Sequence, residues 1–416
     1  MATIGKKLMT LAVAAALGGM ASSAVAGGFA IATQSGSGTG NAFSGGAAAA
    51  DDASVAWFNP AAMTLIPGKQ VAGALHALKP SFKFENTGST APVFSNPGTG
   101  EGGDGGGWAF VPNGFFTMAI SPNLSFGLAL NAPFGLKTEY ENGWRGQLKA
   151  LKSEIVSVNI NPSVAYKVSD TVSIGGGVSV QYLEATLTKA ANAAGTNIAE
   201  LNADDIGYGF NLGLMIQATP NIRIGASYRS AIKYELEGTV AFSATPLGNG
   251  GVKADLKVPD SASLSIFETV GNWELMGDLT WTGWSTLQRF DAIRTTGAQA
   301  GTIVDFETFN WKDVWRYSIG ANYKMSPQTK FRFGLAFDET PTNDVDRTPR
   351  LPDEDRTWVA LGVQYKPSKT SILDVGYAHE FIKDAKINNT IAGAGSLIGT
   401  FKNKADIFSV QYSQSF

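Results

Sequence analysis

Two histidines and no cysteine occur among the 416 residues, so thiolate and imidazole metal sites have almost nothing to be built from. His76 and His379 are far apart, neither has metal-ligand spacing, and no G-x-S-x-G turn presents a nucleophilic serine. Hydrolysis by a serine paired with a histidine finds no local motif. Both histidines read instead as side chains of strands, facing an interface or a lumen. The glycine run at 102–107 opens no helix and so lacks the amide array that cradles phosphate. The densest charges, DETPTNDVDRTPRLPDEDR at 338–356, read as a solvated loop cross-linked to its neighbours rather than as paired catalytic carboxylates. With 32 Lys and Arg against 35 Asp and Glu, no basic surplus is available for nucleic acid. These residues predict a chain that is not an enzyme and takes no metal or cofactor.

The elements carrying these residues are strands. In 331–337, Phe331, Phe333, Leu335 and Phe337 alternate with Arg332, Gly334 and Ala336. In 156–168, Val156, Val158, Ile160, Val164 and Tyr166 alternate with serine, asparagine, alanine and lysine, and 172–182 repeats the pattern. Alternation of period two gives each strand one apolar and one polar or small face. A soluble sandwich would bury the apolar face, whereas a membrane barrel turns it to lipid. The connections choose between these. Short turns at 121–123, 169–170, 219–221, 271–272, 326–328 and 367–369 alternate with long polar loops at 86–111, 132–150, 189–204, 243–251, 292–305, 340–353 and 386–400. Six turns and seven loops make fourteen strands, an even number with the turn asymmetry of an outer-membrane barrel. The last strand sets Phe408, Val410, Tyr412 and the terminal Phe416 on one face. The expected class is all-β: a fourteen-stranded antiparallel transmembrane β-barrel with an N-terminal hatch plugging its lumen.

Ahead of the strands, Lys6 and Lys7, an apolar run at 8–17 and Ala24-Val25-Ala26 form an export signal, cut before Gly27. The apolar run is too short for a membrane helix, which needs about 20 residues. Less a 26-residue signal, the 416-residue chain leaves 390. Residues 27–63 are rich in glycine and alanine, carry Asp51-Asp52, and do not read as a strand. Small residues permit tight turns and close backbone approach, so this stretch suits a narrow space such as a barrel lumen. Its Phe29, Phe43, Trp57 and Phe58 argue against a disordered tail. The expected division is signal 1–26, hatch 27–67 and barrel 68–416.

Several strings resemble the FadL family of outer-membrane transporters for hydrophobic compounds. They are Gly28-Phe29, Ser37-Gly38-x-Gly40-Asn41-Ala42-Phe43, Ala50-Asp51-Asp52-Ala53, Asn59-Pro60-Ala61, Pro133-Phe134-Gly135-Leu136, Gly143-Trp144-Arg145-Gly146, Trp311-Lys312-Asp313 and Arg347-Thr348-Pro349-Arg350-Leu351-Pro352-Asp353. The resemblance implies passive uptake of long-chain fatty acids across the outer membrane of a Gram-negative bacterium. The substrate is captured among outer loops, held in a lumenal pocket and released sideways to membrane lipid through a kinked third strand. It implies a monomer. Phe29 would reach the pocket, and Asn59, Pro60 and Ala61 would sit beside the kink in strand three, about 124–133. Gly127, Asn131 and Pro133 are the candidate kink residues, since proline cannot donate to a ladder and glycine marks bulges. For a carboxylate, the family's two bases fall on Lys189 and on Glu307, an acid that would repel it. Lys312 or Arg316 are the candidate replacements, and an aromatic or other hydrocarbon is the alternative substrate. Outside that mechanism stand a general polar porin, an adhesive barrel and an outer-membrane phospholipase.

Overall fold

A computed structural model describes residues 27–91 and 98–416; the expected signal, 1–26, lies outside them. Alternating sequence becomes alternating burial. In β1 (Lys69–Asn86), Gln70 and His76 are 6% and 0% exposed while their neighbours Val71 and Leu75 are 45% and 52% exposed. Polar side chains face in and apolar ones face out, the reverse of a soluble core and the pattern of a wall standing in lipid.

Fourteen antiparallel strands close that wall, as the sequence predicts. From β1 the chain runs through β2 (Ala109–Ala119), β3 (Leu124–Asn131), β4 (Gly135–Glu139), β5 (Lys152–Lys167), β6 (Val172–Ala190) and β7 (Ile198–Gln217). It continues through β8 (Ile222–Arg229), β9 (Ile232–Phe242), β10 (Gly250–Val258), β11 (Ser261–Val270), β12 (Trp273–Thr282), β13 (Arg289–Arg294), β14 (Ile303–Thr308) and β15 (Val314–Lys324). Then come β16 (Thr329–Asp338), β17 (Arg356–Tyr365), β18 (Ser371–Ile382), β19 (Ala385–Ile391) and β20 (Gly395–Ser415). Six wall strands are interrupted once, which turns fourteen crossings into twenty hydrogen-bonded segments. β1 pairs with β20 from Gln70↔Ser415 to Asn86↔Gly399, so the sheet has no free seam.

The third crossing departs from the expected kink. Gly127 pairs regularly with Thr117 on one side and Ser163 on the other, so it is no bulge. A Cβ there would lie 2.2 Å from Met63 Sδ, so the glycine makes room for the N-terminal segment instead. The break comes after Asn131, at Ala132-Pro133-Phe134, and the chain resumes as β4 against β5 one residue out of register. Pairing of β2 with this crossing stops at Gly114↔Leu130. Above that point Ala109 to Asn113 keep β1 as their strand partner but pair with no strand on the other side among the described residues, and the wall opens.

Residues 27–67 lie inside the ring. Their short helical turns Gly36–Thr39, Val55–Phe58 and Pro60–Leu65 touch β17, β18 and β20 on one side and β5, β6 and β7 on the other. One segment reaches both sides of a closed barrel only from within. Loop 339–355 also differs from the solvated loop expected: Arg347, Arg350 and Asp353 are buried, each at 4% exposure or less. Burial in the barrel mouth forces those charges to pair. Arg350 meets Glu307, Arg347 meets Asp344 and Glu354, and Arg356 meets Asp353 and Glu380.

Candidate functional site

The opening between β2 and β4 is filled by the chain's own N-terminal segment. Ile31 N–H donates to Pro133 O at 2.8 Å and Gly135 N–H donates to Phe29 O at 2.9 Å, an antiparallel pairing across Ala30 and Phe134. Pro133 offers only a carbonyl, which is the one group this contact requires of it. Gln34 bridges further down: its amide nitrogen donates to Ala132 O at 3.0 Å, and its amide oxygen accepts from Asn131 Nδ2 at 2.6 Å. On the opposite edge, Asn113 Nδ2 donates to Gln34 O at 2.9 Å and also lies 3.2 Å from His76 Nε2. His76 in turn contacts Ser409 Oγ at 2.6 Å. Residues 29–34 thus bond to both lips of the gap. Gln34, Asn113 and His76 carry no motif; their signal is amide and imidazole side chains at inward strand positions beside the break.

Behind this strap lies a cavity of about 210 Å³, lined by Ile31, Gln34, Phe134, Trp284, Arg229 and Arg316 among others. Phe29 stands beside this cavity against two of its lining residues, Phe134 and Trp284, and itself lines the smaller cavity described below. It is 2% exposed and packs against Trp284, Phe134 and Trp311 with ring centroids 4.9, 5.8 and 5.9 Å away. Both tryptophans project from the interruptions between β12 and β13 and between β14 and β15, which bring the rings inward. Above Phe29 a smaller apolar cavity is lined by Leu136, Leu236, Leu287, Phe290 and Leu351. Its rim holds the Glu307–Arg350 pair, Nε to Oε1 at 2.7 Å. Among the described residues no group of three metal-ligating side chains occurs.

The remaining candidates separate. Lys189 stands near the end of β6, ion-paired with Asp305 at the mouth. Together with Lys149 it lines a third cavity there. Burial pushes the Lys149 ammonium down to about 8. Lys312 is exposed on the link between β14 and β15, whereas Arg316 lines the cavity behind the strap, its Nη2 donating to Ala42 O at 2.8 Å. Asn59, Pro60 and Ala61 stand against β6 and β7 rather than beside the break. Asn59 Nδ2 donates to Leu214 O at 2.9 Å, and Gly213 and Gly175 leave the space in which Asn59 and Ala61 sit. It is Met63, later on the same turn as Pro60 and Ala61, that reaches Gly127 on β3. Deeper in the lumen Asp51 binds Arg332 at 2.8 Å and Lys330 at 3.6 Å. Burial alone would raise the Asp51 carboxyl, but the two cations hold it well below the usual carboxylate range.

Residues 17–416 match the model of a family described as outer membrane protein transport protein (OMPP1/FadL/TodX). The long-chain fatty acid transport protein of Escherichia coli K12 is 27% identical over 452 residues, covering 98% of each chain. The crystal structure of a Pseudomonas aeruginosa FadL homologue superposes with a TM-score of 0.85 at 24% identity, over 94% of this chain and 100% of that one. The Ralstonia pickettii toluene transporter TbuX shares the fold at a TM-score of 0.68 and 19% identity, over 92% and 98%. A closed fourteen-stranded wall, apolar outside, and a family match across nearly the whole chain lead to one conclusion: this protein belongs to the FadL family of outer-membrane transporters of hydrophobic compounds.

Proposed function

We propose that this chain is a passive channel for long-chain fatty acids, acting as a monomer and without catalysis. A fatty acid captured at the loops enters the apolar cavity under Leu351, displaces Phe29, and occupies the lumenal cavity. It leaves sideways into membrane lipid through the gap between β2 and β4. Residues 27–67 act as the hatch that blocks the axial water path throughout.

The observation that carries this reading is the strap at 29–34. It fills a break in the wall by main-chain bonds at Ile31 and Phe29, by the Gln34 side chain, and by the Asn113 side chain from the opposite lip. A permanent wall needs no removable segment. The physics favours lateral release, because each CH₂ moved from water to an apolar medium gains about 0.8 kcal/mol. An alkyl chain therefore gains little from an aqueous pore and much from lipid. Full-length similarity to a fatty-acid transporter supports the acid as substrate, and the shared fold of TbuX keeps monoaromatic hydrocarbons as the second reading.

The test is deletion of residues 27–32, followed by uptake of radiolabelled oleate and of toluene in a strain lacking the chromosomal gene. The expected result is a loss of oleate uptake with the barrel's heat-modifiable migration retained. Unchanged uptake would refute the strap mechanism, and selective loss of toluene uptake would favour the hydrocarbon reading.

A further inference from the structure

Six crossings round the ring from the strap, the wall carries a second stretch without a ladder. β10 pairs with β13 only at Val252↔Arg294 and Lys253↔Ile293, and regular pairing resumes below at Ser261↔Thr282, between β11 and β12. Seven residues on one strand (254–260) therefore face ten on the other (283–292). The short turn Trp284–Thr286 takes up the excess, and Trp284 is buried by it. At the lower end Gly283 N–H donates to Asp260 O at 2.9 Å. Above that bond, among the described residues, no hydrogen bond or ion pair joins 254–259 to 284–292.

Apolar packing alone spans this stretch. Leu256 and Val258 of β10 share one cluster with Trp284, Leu287 and Phe290. A ladder resists parting because each step breaks main-chain hydrogen bonds. Here there are none to break, and an alkyl chain sliding between the strands replaces the apolar contacts it disturbs. Both cavities lie directly behind. The smaller apolar one is lined by Leu256, Leu287 and Phe290, and the cavity behind the strap by Val258, Pro259 and Trp284. On the outer surface the stretch straddles the upper edge of the lipid belt. Leu264 and Ile266 are exposed below it, and Lys257, Asp255 and Arg289 are exposed beside it. At the boundary stand Trp281 and Tyr228, whose hydroxyl donates to Asp260 Oδ2 at 3.0 Å, as in the aromatic girdle of a membrane barrel.

We propose that the stretch between β10 and β13 is a side entrance, through which an alkyl chain dissolved in the outer leaflet slips between the two strands into the apolar cavity. This rests on the transport reading above and names a way in. The substrate then crosses the barrel from one side to the other, in past Leu256 and Leu287 and out past the strap, and its chain never leaves apolar surroundings.

The chain has no cysteine, so introduced thiols are the only ones. Lys257→Cys with Arg289→Cys puts one on each outer edge of the stretch, and a short bismaleimide with a reducible link ties them together. Cells carrying the tied protein should lose most of their oleate uptake and regain it when the link is reduced. Leu264→Cys with Leu279→Cys, opposite one another in the regular ladder below, should import normally when tied. In a second measurement, full-length Leu287→Cys in phosphatidylcholine vesicles should be labelled by hexadecyl maleimide dissolved in the bilayer, and excess oleate should slow the labelling. Uptake that ignores the upper tie, equal loss from both ties, or a Leu287→Cys thiol that the bilayer reagent never reaches overturns the side entrance and leaves the transport reading standing. Absence of oleate uptake by the wild type overturns both.

Discussion

Gln34 makes three side-chain contacts with two neighbouring stretches, to Ile31, Ala132 and Asn131, and its carbonyl is held by Asn113 from the other lip. A Gln34→Ala change removes all three side-chain bonds while the main-chain pairing at Phe29 and Ile31 remains. Two of these bonds, to Ala132 and Asn131, cross to the wall and each is worth about 0.5–1.5 kcal/mol net, so the strap should open roughly ten- to a hundredfold more often. Faster entry of a hydrophobic dye into cells, with normal barrel assembly, is the expected outcome; unchanged dye entry would show that Gln34 does not hold the gap. Asp51 is the second residue whose chemistry makes a prediction. Its carboxyl falls below the usual 3.8 in the folded protein because Lys330 and Arg332 offset the effect of burial. A group with a depressed folded pKa stabilises the native state above its unfolded value and loses that contribution as pH falls toward the folded one. Attachment of the N-terminal segment should therefore be constant from neutral pH down to about 4 and weaken only below it. An Asp51→Asn variant should show the loosened state already at neutral pH. Proteolysis or hydrogen exchange of residues 47–54 across that range measures it.

At the scale of elements, the wall and its filling are matched by absence of side chains. A Cβ on Gly225 would lie 1.9 Å from Ala47 O, one on Gly213 2.1 Å from Asn59 Oδ1, and one on Gly334 2.1 Å from Asn41 C. These glycines sit in β8, β7 and β16, so the segment at 27–67 is seated around the inner circumference rather than hung from one point. Glycine in a strand costs about 0.5–1 kcal/mol, a cost that close approach of another backbone explains. Gly225→Val should displace the Ala47 stretch while β8 still pairs with β7 and β11. The expected result is steady ion conductance in a planar bilayer from a barrel that assembles normally. A variant as silent as wild type would mean that the segment yields without opening a path. The break in the third crossing follows the same logic in reverse. Pro133 lies at the break, within the strand whose sequence predicts a kink, whereas Gly127, equally a candidate by sequence, serves the N-terminal segment, because both roles ask for the same small residue.

For the whole molecule, stability of the wall and closure of its lumen are separable. Each wall strand is hydrogen-bonded to a neighbour on either side along most of its length, and the β1–β20 pairing completes the ring without help from residues 27–67. Removal of residues 27–67 should leave a β-rich, heat-modifiable barrel that conducts ions, as far-UV circular dichroism and bilayer recording would show; a barrel that fails to assemble would make the segment part of the fold. The sequence by itself determined the number of strands, their inward and outward faces and the presence of a small-residue segment left over to fill the lumen. Those features are written in period-two alternation, turn chemistry and composition, which are local. The tertiary structure alone decided where the wall opens, that residues 29–34 fill the opening, and that Glu307 is paired with Arg350. Each of these depends on side chains tens to hundreds of residues apart meeting across a closed ring, and no local pattern of residues encodes which of them will meet.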